Sequence, residues 1–406
     1  MSQEEVVVIS AVRSPFGKFG GALKDFSLPE LGGQVMAEAI RRAGVEPADV
    51  EEVATGVNLP GGDRSIARQV LIASGIPANR VAYTVDRACC SSIAAVNMGS
   101  RSIRLGESKV VLAGGVENMS KVPYFLNDLR WGKRLGDVTL KDQLIIACPM
   151  TGKPRALQAG EEAVEFNVTR EEQDAWALRS HQNYFKAKEA GYFQEEIVSI
   201  EVAQRRGDPI IVADDESPRA DSSLEKLAKL KTIYGSPTVT PGNAPGLSTG
   251  SSAMLLMSGE EAKKRGTKPL ARLMAWAMAS GHPDKLASIP AEGARLALDK
   301  AGMTVDDIDL IEINEAFAAM PLVSTLILGG RDKDKIEAIR AKTNVNGGAI
   351  ALGHPTGATG ARLIITLIHE LGRRRKASAE NRPFYGLVTI CGGIGEAESV
   401  IVKVDA

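Results

Sequence analysis

Cysteine and histidine are scarce in this chain, with four of each among 406 residues. Four cysteines in a chain this long cannot be the disulfide framework of a small secreted fold. None of them forms a Cys-x-x-Cys pair, and zinc favours such spaced pairs, so no metal is expected. Excess charge of one sign is also missing: 49 Lys and Arg face 50 Asp and Glu, a net charge of −1. A nucleic-acid binder would carry a basic surplus. The one basic run, Gly372 to Lys376, reads as a solvated helix end, where cations suit the macrodipole. No stretch reaches the roughly 20 apolar residues that span a bilayer. The opening, MSQEEVVVISAVRSP, puts acidic residues before a short apolar run, unlike a secretory signal. These absences predict a cytoplasmic protein with reduced thiols and with neither a membrane nor a nucleic-acid partner. Reduced thiols are either inert core residues or reagents.

What is present is the mix of an ordinary soluble protein, 44% hydrophobic and 24% charged, and long enough for two or more structural units. VVVIS (6–10), VVLAGG (110–115), IDLIEIN (308–314), LVTICGG (387–393) and ESVIVKV (398–404) read as strands. LGGQVMAEAIRRAG (31–44) and ATGARLIITLIHELGRR (358–374) have helical spacing. Near-continuous apolar strands alternating with helices predict an α/β fold with helices on both sheet faces. One order of parts occurs twice, about 260–280 residues apart: a turn opening a helix, then a strand ending in glycines. Between the copies, from about 120 to 245, charge and turns increase, which predicts an inserted, partly helical subdomain.

Two adjacent cysteines stand in DRACCSS (86–92), after a strand-like run and before a helical one. At a helix N-terminus the partial positive charge favours a thiolate, which makes Cys89 a candidate nucleophile. A buried, inert cysteine is the competing reading. Among the histidines, His354 lies in NGGAIALGHPTGATG, where glycines let backbone approach a ligand. His181 and His369 fall in helical patterns and read as surface or satisfied structural residues. His282 sits in a turn without an evident partner. Cys391 closes a strand before bare glycine backbone, where α/β sheets hold ligands and where amides can form an oxyanion hole. Asn314 begins NEAF, which alone could be no more than a helix cap.

Taken together, VDRACCSS (85–92), GGVENMS (114–120), TVTPGNAPG (238–246), NEAFA (314–318), NVNGGAIALGHPTGATGAR (344–362) and CGGIGEA (391–397) resemble the thiolase family, in the family's order and over nearly the whole chain. EEQDAWALRSHQ (171–182) and ADSSLEKLAKLK (220–231) are similar to its insert. The resemblance implies a duplicated α/β core of mixed five-stranded sheets covered by helices, with an inserted loop domain. Residues 1–120 plus 245–268 would form the first core half, 121–244 the insert and 269–406 the second half. It implies a homodimer or homotetramer acting on acyl-CoA, with CoA as substrate and no bound cofactor.

The resemblance also implies roles. Cys89 would be the acylated nucleophile, His354 its base and an oxyanion donor, and Cys391 the general acid/base. Asn314 would hold an oxyanion-hole water, and the Gly393 amide would complete a second hole with that of Cys89. Such a donor is worth about 3–4 kcal/mol of barrier. Arg219, Ala244, Pro245 and Phe317 would contact CoA. The implied reaction joins two acetyl-CoA into acetoacetyl-CoA and CoA, or cleaves in reverse. A broader-chain 3-ketoacyl-CoA thiolase of fatty-acid breakdown is the alternative, and a non-catalytic acyl-CoA-binding or partner subunit is a third reading. The chain departs from the family at ACPMTGKPRALQAGEEAVEF (147–166), which lacks the family's histidine, at Pro245 in place of a serine, and at Ser248-Thr249 in place of Asn-Asp. These departures bear on chain length.

Overall fold

The computed structural model describes residues 4–127, 129–145, 147–204 and 206–405. Nine strands form the path of one mixed sheet: β1 (Val6–Arg13), β2 (Glu52–Gly56), β3 (Val81–Val85), β4 (Val110–Asn118), β5 (Ser248–Ser258), β6 (Ala271–Ser280), β7 (Leu310–Ile313), β8 (Phe384–Cys391) and β9 (Glu396–Val404). Their order is β7-β8-β9-β6-β1-β5-β4-β2-β3, with the two-residue strand Gly17–Lys18 paired beside β5. In the first half β2 runs parallel to β4, and β4, β5 and β1 follow antiparallel. The second half repeats the pattern with β7, β8, β9 and β6. The duplication is therefore a repeat of topology. The halves join through β1 and β6, which pair at Val7–Arg272 and Val8–Ala271.

The expectation of five strands in each half needs one correction. The first half has five, with β3 parallel to β2 at the sheet's edge. The second has four, and the fifth shrinks to a single parallel bridge between Thr343 and Ile311. The cause is the next residue. Asn344 turns into the left-handed region, at φ 48°. Its side chain takes the Ile313 amide at 2.9 Å and donates to the Ile313 carbonyl at 2.9 Å, replacing the backbone ladder there.

The helices pack in layers. α1 (Leu28–Ala43) and α2 (Ile66–Ala73) cover the outer face of the first half through one apolar cluster, which includes Leu31, Val35, Val70 and Leu112. Ser27 caps α1 with Glu30 in a reciprocal capping box, and Gly44 stops it in the left-handed conformation. α3 (Ser91–Leu105), α4 (Arg155–Glu165) and α5 (Arg170–Glu189) follow, the last two between β4 and β5 in the chain. α6 (Ile289–Ala301) covers the second half's outer face. α7 (Ala319–Leu328), the short α8 (Ala349–Leu352) and α9 (Thr356–Ala377) complete the set used below.

α9 touches α3 and strands of both halves, so these two helices fill the space between the halves. Apolar residues of both halves line that space, among them Ile93, Val111, Leu363, Val388 and Val400. Their close crossing depends on small residues. A Cβ at Gly115 of β4 would lie 1.9 Å from the Gly357 carbonyl oxygen, and one at Gly360 would lie 2.8 Å from the Ile93 nitrogen. Ser92 accepts a 3.0 Å hydrogen bond from the Ala361 amide across the crossing. The starts of α3 and α9, from distant parts of the chain, thereby meet at one end of the sheet.

Candidate active site

The turn between β3 and α3 carries the first thiol. Ala88 sits at φ 49°, a conformation that non-glycine side chains rarely adopt and that clusters at functional sites. The turn is held by the Ser91 hydroxyl, which accepts from the Arg87 amide at 2.9 Å and donates to the Ala88 carbonyl at 2.6 Å. Arg87 is anchored in turn on Glu398 at 2.6 Å. The helix begins at Ser91, with Cys90 as its cap residue. Cys89 thus precedes the cap.

Cys89 is half-buried, and its thiol lies above the ordinary cysteine range. Burial is the main cause, the neighbouring Cys391 adds to it, and the Arg155 guanidinium opposes it. The expectation of a thiolate stabilised by the helix end does not hold for the resting protein. Desolvation acts on the whole charge, whereas a helix end contributes a partial one. Such a thiol needs a base. Cys90 is fully buried and its Sγ lies 3.4 Å from the Ile390 carbonyl, so it is an inert packing residue.

Cys391 ends β8 and is buried. Burial pushes its thiol up to about 11, against stabilisation by the Gly393 backbone and by Arg155. Gly393 adopts φ 75°, which bends the chain back toward the sulfur. This strand end is in contact with the first turn: a Cβ at Gly392 would lie 3.3 Å from Cys90 Sγ and 3.4 Å from the Arg87 carbonyl.

His354 precedes α9 and is buried. Its amide donates to Ser248 Oγ at 3.1 Å. Its Nδ1 lies 2.7 Å from Thr359 Oγ1, and its Nε2 lies 3.3 Å from Asn314 Nδ2. The Thr359 hydroxyl donates to the Pro355 carbonyl at 2.9 Å, so toward the ring it accepts. Nδ1 therefore carries the hydrogen and Nε2 offers a lone pair. Burial, with Arg362, pushes the imidazole down to about 3, and the ring is neutral at physiological pH. Asn314 Oδ1 is buried without a hydrogen-bond partner among the described residues. An oxygen in that state is a seat for water or a polar substrate atom.

The other expected contacts divide. Ala244 and Phe317 pack against the apolar cluster that contains Cys391, and Pro245 is half-buried beside Ala244. Arg219 is exposed, and its amide donates to His181 Nδ1 at 3.2 Å. His181 and His369 are both buried, which corrects the surface alternative. His369 bonds the Ala11 carbonyl at 2.8 Å, and both are satisfied structural residues. His282 is exposed.

Three residues that the sequence reading missed support the site. Glu315 is fully buried and accepts from Trp176 at 2.9 Å, Ser180 at 2.7 Å, Asn344 at 2.9 Å and the Ile350 amide at 3.1 Å. It ties α5 to the glycine loop before His354. Glu117, at the end of β4, accepts from Thr356 at 2.8 Å and from the amides of Gly357, Asn58 and Leu59. Burial pushes its carboxyl up to about 7. Arg155, the first residue of α4, holds its guanidinium over Gly393: a Cβ there would lie 3.6 Å from Nε. Its signal was available, as the one arginine within the departing stretch 147–166.

Comparison with known proteins agrees with this arrangement. The family model for the thiolase N-terminal domain matches residues 6–260, and that for the C-terminal domain matches residues 267–404. An acetyl-CoA acetyltransferase of Syntrophomonas wolfei is 39% identical, over 98% of this chain and 99% of its own. The crystal structure of the Bacillus anthracis acetyl-CoA acetyltransferase superposes with a TM-score of 0.92 at 40% identity, over 99% of each chain. That of human mitochondrial 3-ketoacyl-CoA thiolase does so with a TM-score of 0.91 at 36% identity, over 99% of each chain.

Proposed function

Because this chain belongs to the thiolase family and is an acyltransferase of it, we propose that it condenses two acetyl-CoA into acetoacetyl-CoA and CoA, and runs the cleavage in reverse. The reading is supported by two neighbouring thiols, half-buried Cys89 and buried Cys391, and by the buried, neutral imidazole of His354. In the proposed sequence His354 Nε2 takes the Cys89 proton, and the thiolate attacks the thioester carbonyl carbon. The tetrahedral intermediate collapses, the carbon–sulfur bond to CoA breaks, and the departing CoA thiolate takes the proton of the Cys391 thiol, which leaves Cys391 as a thiolate. Cys391, as thiolate, then removes a proton from the methyl group of a second acetyl-CoA. The enolate carbon attacks the acyl carbon, the bond to Cys89 Sγ breaks, and the departing Cys89 thiolate takes back the proton held by His354.

A base with a high pKa suits removal of a weakly acidic C–H, which is the hard step. Charge on the reacting oxygens would be met by a water on Asn314 with His354, and by the amides of Cys89 and Gly393. Arg219, Ala244, Pro245 and Phe317 would hold the CoA arm. Acyl-CoA and CoA are the only small molecules the sequence of steps uses. The relatives bearing the acetyltransferase name support the short-chain reading over the broader one. The complete set of Cys89, Asn314, His354 and Cys391 argues against a non-catalytic scaffold.

A homodimer or homotetramer in the cytoplasm belongs to the same proposal. β3 ends the sheet with one edge unpaired and Val81 exposed, an edge that a second copy could cover. No helix among the described residues is long and apolar enough to cross a membrane. The test is CoA-dependent loss of acetoacetyl-CoA, followed by the absorbance of the ketoacyl thioester. Turnover by the wild type that disappears in Cys89→Ala is expected. Absence of turnover in the wild type overturns the reading.

A further inference from the structure

Arg362 of α9 and Arg13 of β1 are the largest fully buried side chains among the described residues. They are held very differently. Arg13 meets Glu196 at 2.7 Å and Asp215 at 2.6 and 3.0 Å. Arg362 makes a single hydrogen bond among the described residues, from Nη1 to Glu312 Oε2 at 3.3 Å. Its Nε and Nη2 are buried without a partner among those residues. The other acids that its charge reaches are engaged elsewhere. Glu196 accepts from Arg13, and Glu315 accepts from Trp176, Ser180, Asn344 and Ile350.

Such an arginine does little for the stability of the fold. Burial strips a guanidinium of its hydrogen bonds to water, and one bond at 3.3 Å replaces few of them. Apolar side chains of similar volume often replace a buried ion pair without loss. What the pair does provide is a fixed point between two elements that the proposed reaction needs in register.

Glu312 lies on β7, and Asn314 is the residue just after that strand. Side chains alternate along extended backbone, so Glu312 and Asn314 face the same side. Ile311 and Ile313 face the other side, in the apolar cluster with Leu298 of α6. α9 packs against β7. His354 stands two residues before the first residue of α9, and Arg362 is in the second turn. Side chains on a helix lean toward its N-terminus, so Arg362 leans back toward His354, whose imidazole feels its charge. Two side-chain contacts therefore bridge the same two elements. One joins Arg362 to Glu312 at 3.3 Å, and the other joins His354 Nε2 to Asn314 Nδ2 at 3.3 Å. The Thr359 contact to His354 Nδ1 comes from α9 itself and moves with it.

We propose that Arg362 is a positioning residue of the active site: its bond to Glu312 fixes α9 against β7 in the register that brings His354 Nε2 to the Asn314 amide. The proposal rests on the thiolase reading above and adds the contact that sets its oxyanion site. Arg362 touches no reacting atom and adds no step to the reaction.

The experiment measures kcat and KM for CoA-dependent cleavage of acetoacetyl-CoA by the full chain carrying Arg362→Met, with and without Asn314→Ala. Loss of an oxyanion donor lowers kcat by about 10²–10³, which leaves a rate that micromolar enzyme still shows. With Asn314 present, Arg362→Met is expected to lower kcat about 10-fold or more, with KM within about twofold of wild type. In Asn314→Ala the same substitution should lower kcat about twofold or less, because the amide to be positioned is gone. Arg362→Lys keeps a donor for Glu312 and should restore part of kcat where Asn314 is present. Equal losses in the two backgrounds, or a kcat within about twofold of wild type in Arg362→Met, overturn the proposal. If Arg362→Met does not fold, Arg362→Lys takes its place, since it keeps the buried cation. A loss of about threefold or more that needs Asn314 then supports the proposal, and no loss or an equal loss in both backgrounds overturns it. If the wild type does not cleave acetoacetyl-CoA, the thiolase reading fails first.

Discussion

His354 donates through Nδ1 to Thr359 Oγ1 at 2.7 Å, and Thr359 passes its own hydroxyl hydrogen to the Pro355 carbonyl at 2.9 Å. A hydroxyl has one hydrogen, so this chain fixes the tautomer and leaves the lone pair on Nε2, the proposed base. Thr359→Val keeps the side chain's shape and removes the acceptor. We expect kcat for acetoacetyl-CoA cleavage to fall roughly 10-fold or more, with little change in KM. Steady-state kinetics check this. An unchanged kcat would mean that the tautomer is set elsewhere.

The imidazole also predicts a pH dependence. Burial, with Arg362, lowers His354 to about 3, whereas an unfolded histidine titrates near 6.5. Between these values the unfolded chain binds a proton that the folded chain refuses. The stability this group contributes is therefore full above about pH 6.5 and is lost as pH falls toward 3. The kcat/KM profile should show no acid limb centred near 6.5. A limb at that pH, removed by Thr359→Val, would contradict the assignment.

Glu315 predicts a structural loss. Glu315→Ala strands the donors of Trp176, Ser180, Asn344 and Ile350 in a buried place. Each buried donor without a partner costs about 1–3 kcal/mol. Denaturant unfolding should show a destabilisation of at least about 3 kcal/mol. A loss below about 1 kcal/mol would mean that water reaches these groups.

Gly115 predicts a loss of a different kind. In Gly115→Ala the new methyl group would lie 1.9 Å from the Gly357 carbonyl, so the start of α9 must move. Overpacking of this sort costs about 1–3 kcal/mol. The shift reaches His354, three residues before Gly357, and kcat should fall more than stability suggests. A variant with wild-type kcat and wild-type unfolding midpoint would refute the tight packing of the start of α9 against β4.

Short contiguous motifs made part of this site legible in the sequence. Cys89, His354, Cys391 and Asn314 each stand in a stretch whose glycines or flanking strand mark it. The partners that hold them were not legible, because they come from far along the chain: Ser92 with Ala361, Glu315 with Trp176, Glu117 with Gly357. No local pattern encodes such a pairing. The sign of the Cys89 shift was missed for a related reason. A helix start can be read from sequence, but burial depends on what else packs there, and here burial dominates. The α/β class and the doubled order of parts were legible. The single-bridge fifth strand was not, because it depends on one side chain, Asn344, taking the place of a backbone.

The central claim, two thiols with divided roles, is tested most directly by locating the acyl group. The protein is mixed with acetyl-CoA, quenched and digested, and acetylated cysteines are identified by peptide mass. Acetyl is expected on Cys89 in the wild type and in Cys391→Ala, none in Cys89→Ala, and no acetoacetyl-CoA released by Cys391→Ala. Acetyl on Cys90 or Cys148 instead, or acetoacetyl-CoA formed by Cys391→Ala at the wild-type rate, would contradict it.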